Sequence, residues 1–392
     1  MKIRRKIEAK SNFSKRGKYV KKDRNVATFS FNDLPMIRKG LPEMTLGNGG
    51  TRVEPITAIR EWDAKAEALR EIFRQTCGER PQFDCPLEMR VDSEEDRGDF
   101  LERRLSYALE PDERVTSIAL IPKKLKAPSP AVLCIHQTCE IGKLQPVGRD
   151  PAETQSPEKI DMAYGYHLAR RGFVVLAPDL LGAGERRHPG LRAFDNGPLY
   201  RKHPRWSGTG KDIWDLSRAL DVIQKIPEAD PQRIGSLGHS QGGGLTTFLM
   251  AVDKRVKAGV NNCGFWPLRA MKNPFAIART DWWIGRPALR PFCLAGKDFP
   301  IDVHELMALA APRNSMVIIA LDDCGYQLNE EPVSRTMWED LGTNVEKIYK
   351  LISCGDRFKL ILHLDGHSFP RSMREKAYLF LEKALRSGTS ES

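Results

Sequence analysis

No apolar run in the 392 residues approaches the roughly 18 that a membrane-crossing helix requires, so no transmembrane segment is expected. None of the eight cysteines forms a CxxC pair, and no His/Cys group has zinc-finger spacing, which argues against a structural zinc site. Several cysteines, such as Cys134 in AVLCIHQ, stand in apolar surroundings and read as buried free thiols of a reducing compartment. Cys77 and Cys85 are near enough in sequence to bridge, but nothing in the pattern requires it. No internal repeat occurs, and the N-terminus lacks the apolar stretch of a secretory signal peptide. A cytoplasmic location is the expectation.

The chain also has little charge excess outside one short segment. Its net charge is +11, but residues 1–24 hold eleven Lys/Arg against Glu8 and Asp23, so +9 of that excess is local. Such a segment reads as a solvated arm, and nucleic-acid binding through the fold itself is not expected. Residues 1–53 as a whole are taken as a basic, disordered arm, with a Gly/Pro/Asn-rich part from 25 to 53. Residues 54–392 are taken as one catalytic domain.

Within that domain, Trp62, Ala66, Leu69 and Phe73 recur at helical spacing, which predicts a helix from about Pro55 to Cys77 with Gly78 as its cap. Two strand-like runs, near 99–109 and 113–121, flank Pro111-Asp112 and predict an antiparallel hairpin. Short apolar runs follow at 131–137, 173–180, 233–240, 256–262, 316–322 and 358–364, nearly continuous, as in strands covered on both faces. Helical stretches near 158–171, 212–226, 241–252, 303–311 and 372–386 separate them. This alternation predicts an α/β architecture: a mainly parallel central sheet with helices on both faces and the hairpin at one edge. An aromatic-rich insertion near 264–300, with Phe265, Trp266, Phe275, Trp282, Trp283 and Phe292, is placed above the strand ends.

The chemistry-bearing pattern is Gly238-His239-Ser240-Gln241-Gly242, a G-x-S-x-G that follows the apolar Ile234–Leu237 and precedes a helical Gly244–Met250. A sharp strand-to-helix turn holds a nucleophilic serine in a crowded backbone, and flanking glycines relieve the crowding. A serine hydroxyl needs a base. His367, in Asp365-Gly366-His367-Ser368 just beyond the last predicted strand, fits that role better than His363, which falls inside the strand. Activity should then fall at acidic pH as His367 protonates. The orienting acid should end the preceding strand, where Asp322 and Asp323 both stand. The oxyanion donors are assigned to the backbone N–H of Gln241 and to that of Gln137 or Thr138. His136 is read as ordering its loop, Asp179 as bracing the loop after its strand, and Glu185, Arg186 and Arg187 as a solvated charge cluster. Trp282, Trp283 and His239 are candidates for the substrate pocket.

These segments resemble the α/β-hydrolases of the dienelactone hydrolase and acetyl xylan esterase type. The resemblance rests on HQTCEIGKLQPVG (136–148), GHSQGG (238–243), HELMALAAPR (304–313) and DGHSFP (365–370), and it spans about 130 to 385. It implies the α/β-hydrolase fold and a triad acid ten residues after Arg313, which is Asp323. Dienelactone hydrolases carry cysteine at the position of Ser240, so the serine favours ester hydrolysis, and Cys324–Leu328 also departs from the family's aromatic-rich stretch. The implied function is a serine hydrolase cleaving carboxylic esters, acetyl or other short acyl esters among them, with no cofactor or metal and a small-molecule ester as its partner. A serine peptidase, an acyltransferase and a non-catalytic binding protein are the alternatives on the same fold. The sequence does not give the oligomeric state.

Overall fold

The computed structural model describes residues 45–46, 54–268, 283–295, 299–323 and 333–386, of which 45–46 and 54–55 are described by backbone alone. Most of the basic arm therefore lies outside the described residues. Within its last part, β1 (Thr45–Leu46) pairs antiparallel with β2 (Glu54–Pro55).

Helix α1 (Ile59–Cys77) buries Trp62, Ala66, Leu69 and Phe73, the stripe that its periodicity predicts. Glu61 accepts the backbone N–H groups of Thr57 and Ala58 and so caps the first turn. Gly78 ends the helix at φ +77°, where a Cβ would stand 2.2 Å from the Arg205 carbonyl oxygen. Only glycine tolerates both conditions.

Three strands follow as an antiparallel meander: β3 (Arg90–Asp96), β4 (Phe100–Glu110) and β5 (Glu113–Pro122). The hairpin β4–β5 turns at Pro111-Asp112 as expected, but β3 is an addition to the expected fold. Its sequence, RVDSEED, is exposed throughout, so it carries no apolar signal. Charge pairs such as Arg103–Glu94 and its place at the sheet edge account for a strand made of acidic residues.

The rest alternates: β6 (Ser129–Ile135), α2 (Tyr164–Arg170), β7 (Val174–Pro178), α3 (Gly197–Lys202), α4 (Gly208–Ile223), β8 (Ala229–His239), α5 (Gln241–Val252) and β9 (Val256–Asn262). Then come α6 (Arg290–Ala295), α7 (Val303–Ala308), β10 (Asn314–Ala320), α8 (Arg335–Leu351), β11 (Phe358–His363) and α9 (Arg371–Arg386). The nine strands lie in the order β11-β10-β9-β8-β6-β7-β5-β4-β3. Pairings from β7 through β11 are parallel, and β5 joins β7 antiparallel.

Period-two alternation distributes each buried strand between two cores. In β6, Val132 and Cys134 pack with Tyr164, Leu237 and Tyr378, whereas Ala131, Leu133 and Ile135 pack with Leu216, Leu220 and Leu249 on the other face. This double burial is why the sequence shows apolar runs there and not alternation.

Several helices depart from their sequence-based limits: α1 starts at Ile59 and not near Pro55, and α3 and α6 are additions. The helix expected from 158 begins at Tyr164, because Pro157–Lys159 forms a single tight turn and Ile160 is extended. Helix α4 starts at Gly208, four residues before the expected 212, since the Ser207 hydroxyl accepts the Gly210 N–H and offsets the glycines. Helix α8 is absent from the sequence reading. It is capped by Ser334 and held by Met337, Trp338, Leu341, Val345 and Ile348 against the core.

Three histidines are kept neutral by the fold. His167 donates through Nε2 to the Pro157 carbonyl oxygen at 3.0 Å and accepts at Nδ1 from Arg374 at 2.9 Å. Burial and the Arg374 guanidinium lower its pKa to about 4. Burial lowers His239 to about 3 and also lowers His136. A histidine with a depressed folded pKa contributes stability that is complete above its unfolded value, about 6.5, and is lost as pH falls toward the folded value. Asp212 opposes this: burial raises it to about 7, so its contribution is complete below the unfolded carboxylate value and lost as pH rises through about 7. The three histidines therefore favour unfolding as pH falls from about 6.5 to 5. Thermal melts over that range should show a falling Tm, and His167→Gln should make the fall shallower. An identical slope in the variant would reject this account.

Candidate active site

Ser240 stands between the end of β8 and the start of α5, at φ +54° and ψ −123°. The flanking glycines are needed for space. A Cβ on Gly238 would lie 2.2 Å from the Gly242 carbonyl, and one on Gly242 would lie 2.0 Å from the Ile135 oxygen at the end of β6. The Ser240 N–H donates to the Asn262 carbonyl oxygen at 2.8 Å, which ties the turn to the end of β9. Gln241 opens α5, where first-turn N–H groups have no intrahelical acceptor.

His367 sits in the loop after β11, beyond Gly366 at φ +65°. Its Nδ1 lies 2.5 Å from Oδ2 of Asp323, which is buried just past the end of β10. Asp322 takes a different part: its carboxylate accepts the Gly366 N–H at 3.0 and 3.1 Å and caps the turn that presents the histidine. The His367 ring packs at 4.7 Å on the ring of His239, the residue next to Ser240, and stacks at 6.3 Å on Trp266. Ser240, His367 and Asp323 thus follow the carboxyl ends of β8, β11 and β10, with His367 and Asp323 paired. His363 instead pairs in register with Ala320 and interacts with its own neighbour Asp365.

The loop after β6 faces the same turn. The Thr138 hydroxyl donates to the Gln241 side-chain oxygen at 3.3 Å, which brings Gln137 and Thr138 beside the start of α5. His136 accepts the Leu180 N–H at Nε2, 3.0 Å away, so its proton is on Nδ1 and goes to the Gln137 carbonyl at 2.6 Å. It orders the loop as expected. Asp179 likewise braces its surroundings, accepting from the Lys143 backbone at 2.7 Å, the Lys143 ammonium at 2.5 Å and the Glu185 N–H at 3.0 Å.

Two of these expectations need correction, His239 as a pocket residue and Arg186 as a solvated one. His239 has no exposed surface; its ring packs behind His367 and stacks on Phe369 at 6.5 Å, so it faces the core and not an open pocket. Trp283 packs on Phe194 at 5.1 Å, and Trp282 lies outside the described residues. Arg186 is not solvated: it is buried between Glu113 and Asp215, at 2.8 and 2.7 Å. Glu185 and Arg187 are the exposed members, and Arg187 pairs with Glu140. Asn262 carries no role in the sequence reading, and Trp266 enters it only among the aromatics of the insertion above the strand ends. Their available signal was position, since polar and aromatic residues directly after a buried parallel strand lie where ligands bind in open α/β sheets.

Sγ of Cys263, a carboxylate oxygen of Asp323 and a ring nitrogen of His367 lie within 4.8 Å of one another. Burial pushes the Cys263 thiol up to about 12, and Asp323 already shares a hydrogen bond with His367. The trio thus presents a buried thiol beside a carboxylate that the imidazole already engages. Among the described residues, no helix is long and apolar enough to cross a membrane.

A mainly parallel sheet with an antiparallel edge and a serine at a strand-to-helix turn in its middle is the architecture of the α/β-hydrolase fold. The family model of the α/β-hydrolase fold matches residues 130–289. The Bacillus subtilis (strain 168) protein YtaP, whose name assigns it only to the hydrolases, is 26% identical over 325 residues, covering 82% of this chain and all of its own. Among solved structures, a glucuronoyl esterase from Solibacter usitatus superposes with a TM-score of 0.67 at 17% identity, over 87% of this chain and 96% of that one. A Bacteroides fragilis NCTC 9343 protein provisionally described as an acetyl xylan esterase gives a TM-score of 0.59 at 16% identity, over 90% and 89%.

Proposed function

We propose that this protein hydrolyses carboxylic esters through an acyl-enzyme. Ser240 Oγ attacks the acyl carbon. Nε2 of His367 takes its proton and later returns it to the leaving alcohol, and Asp323 holds the other ring nitrogen. The Asp323 hydrogen bond keeps the proton on Nδ1, so Nε2 is the basic nitrogen. The N–H of Gln241, with that of Gln137 or Thr138, receives the negative oxygen of the tetrahedral intermediate.

The observation that carries this reading is the 2.5 Å His367–Asp323 pair, set against the ring of the residue that precedes Ser240. A nucleophile, a base and a buried orienting acid from three strand ends have little other use in one place. The esterases among the structural neighbours support a carbohydrate-bearing ester as the substrate class, with a short acyl group or a sugar acid on the acyl side.

The test is hydrolysis of p-nitrophenyl esters from acetyl to decanoyl, beside acetylated xylan and a methyl ester of glucuronic acid. Turnover that is highest on the shortest esters or on the sugar substrates is expected. A folded protein that releases product from none of them refutes the proposal.

A further inference from the structure

Asn262, the last residue of β9, is fully buried and touches three parts of the site. Its carbonyl oxygen accepts the Ser240 N–H at 2.8 Å. Its side-chain Nδ2 lies 2.9 Å from the Ser368 carbonyl oxygen and 2.6 Å from Nδ1 of His239. A carbonyl oxygen can only accept, so the amide must present its NH2 group to Ser368. The second hydrogen of that NH2 then goes to His239, whose Nδ1 must be an acceptor. This places the His239 proton on Nε2. A second proton on that ring would oppose the Asn262 donor directly.

Both amide hydrogens are thus committed. One holds the loop that carries His367, at the residue immediately after it. The other holds the ring that packs against His367 at 4.7 Å and belongs to the residue immediately before Ser240. The backbone of the same residue holds Ser240 itself. We infer that Asn262 is a positioning residue: it fixes the distance and angle between nucleophile and base by tying the turn at Ser240 and the loop at Ser368 to one strand end. Its neighbour Cys263 adds a weak Sγ contact to the same Ser368 oxygen at 3.9 Å.

Replacing Asn262 leaves its backbone bond to Ser240 and removes only the clamp on the base. A merely structural role would lower Tm and leave the folded enzyme's chemistry intact. A positioning role lowers kcat, because small misplacement of a catalytic group costs about 100-fold, and leaves KM nearly unchanged.

The inference rests on the proposed roles of Ser240 and His367, so the experiment reads the serine directly as well as ester turnover. Wild type, Asn262→Leu and Asn262→Asp are compared for folding by circular dichroism, for kcat and KM, and for the rate of covalent labelling at Ser240 by a fluorophosphonate. The leucine variant removes both donors at similar volume. The aspartate variant keeps the shape while replacing NH2 with oxygen, and serves if the leucine variant fails to fold. Expected are a fall of about 10- to 100-fold in kcat and in labelling rate, with KM within about threefold. Variants that fold and label within twofold of wild type overturn the inference while the hydrolase reading stands. A wild type that labels at Ser240 but turns over no ester removes the ester substrate and leaves the positioning role measurable by labelling. A wild type that does not label removes both.

Discussion

Ser240→Ala should reduce ester turnover by about 10⁴- to 10⁶-fold, the range in which removing a nucleophile reduces a serine hydrolase to what its oxyanion site and binding alone supply. The protein should remain folded, because the hydroxyl has no structural bond among the described residues and the backbone bonds to Asn262 and Gly244 are unchanged. The turn itself is strained. At φ +54° and ψ −123° any residue with a Cβ is disfavoured, at a cost of about 1–3 kcal/mol. Ser240→Gly should therefore be as inactive as Ser240→Ala but about 1 kcal/mol more stable, after allowing for the greater freedom of glycine in the unfolded chain. Kinetics and denaturant melts of the pair check both halves. Equal stability would mean that the strain at this residue is no larger than the entropy cost of glycine, and substantial turnover in either variant would remove Ser240 as nucleophile.

Asp323→Asn should be nearly as damaging, lowering kcat by about 10⁴-fold. An asparagine can offer its NH2 to Nδ1 of His367, which moves the imidazole proton to Nε2 and leaves no base facing the serine. Asp322→Asn is the control. The Asp322 carboxylate accepts the Gly366 N–H, and an asparagine oxygen accepts the same donor, so that variant should stay within about threefold of wild type. If Asp322→Asn loses the greater activity, the orienting acid is Asp322 and the short contact of Asp323 is structural.

The residues that form the site were legible because each sits at a place where backbone geometry restricts composition. Gly238 and Gly242 are glycine because other backbone passes within about 2 Å of where their Cβ would be. His367 follows a glycine at positive φ, and a short apolar run before each candidate marks a strand covered on both sides. The choice between Asp322 and Asp323 was different. Two adjacent carboxylates at a strand end have the same composition and nearly the same position. Which one turns inward is set by how the loop after β10 meets the loop after β11.

Other features had no sequence signal of the usual kind. Strand β3 is a row of charged residues at a sheet edge, where solvent on both faces removes the apolar pattern. Arg186 looked like part of a surface charge run, yet it is buried because Glu113 and Asp215 arrive from a distant hairpin and helix. His239 looked like a pocket residue from its place beside the serine. Alternation along β8, carried to its last residue, turns its ring into the core, where Asn262 and Phe369 meet it.

The sequence by itself determined the α/β alternation, the strained serine turn and the place of a histidine after the last strand, since these depend on periodicity and on local steric limits within a few residues. The tertiary structure alone decided which carboxylate pairs with His367, which way His239 faces and what Asn262 holds. Those contacts join residues 22 to 106 positions apart at neighbouring strand ends. Whether they form depends on sheet order and register, which local composition does not encode.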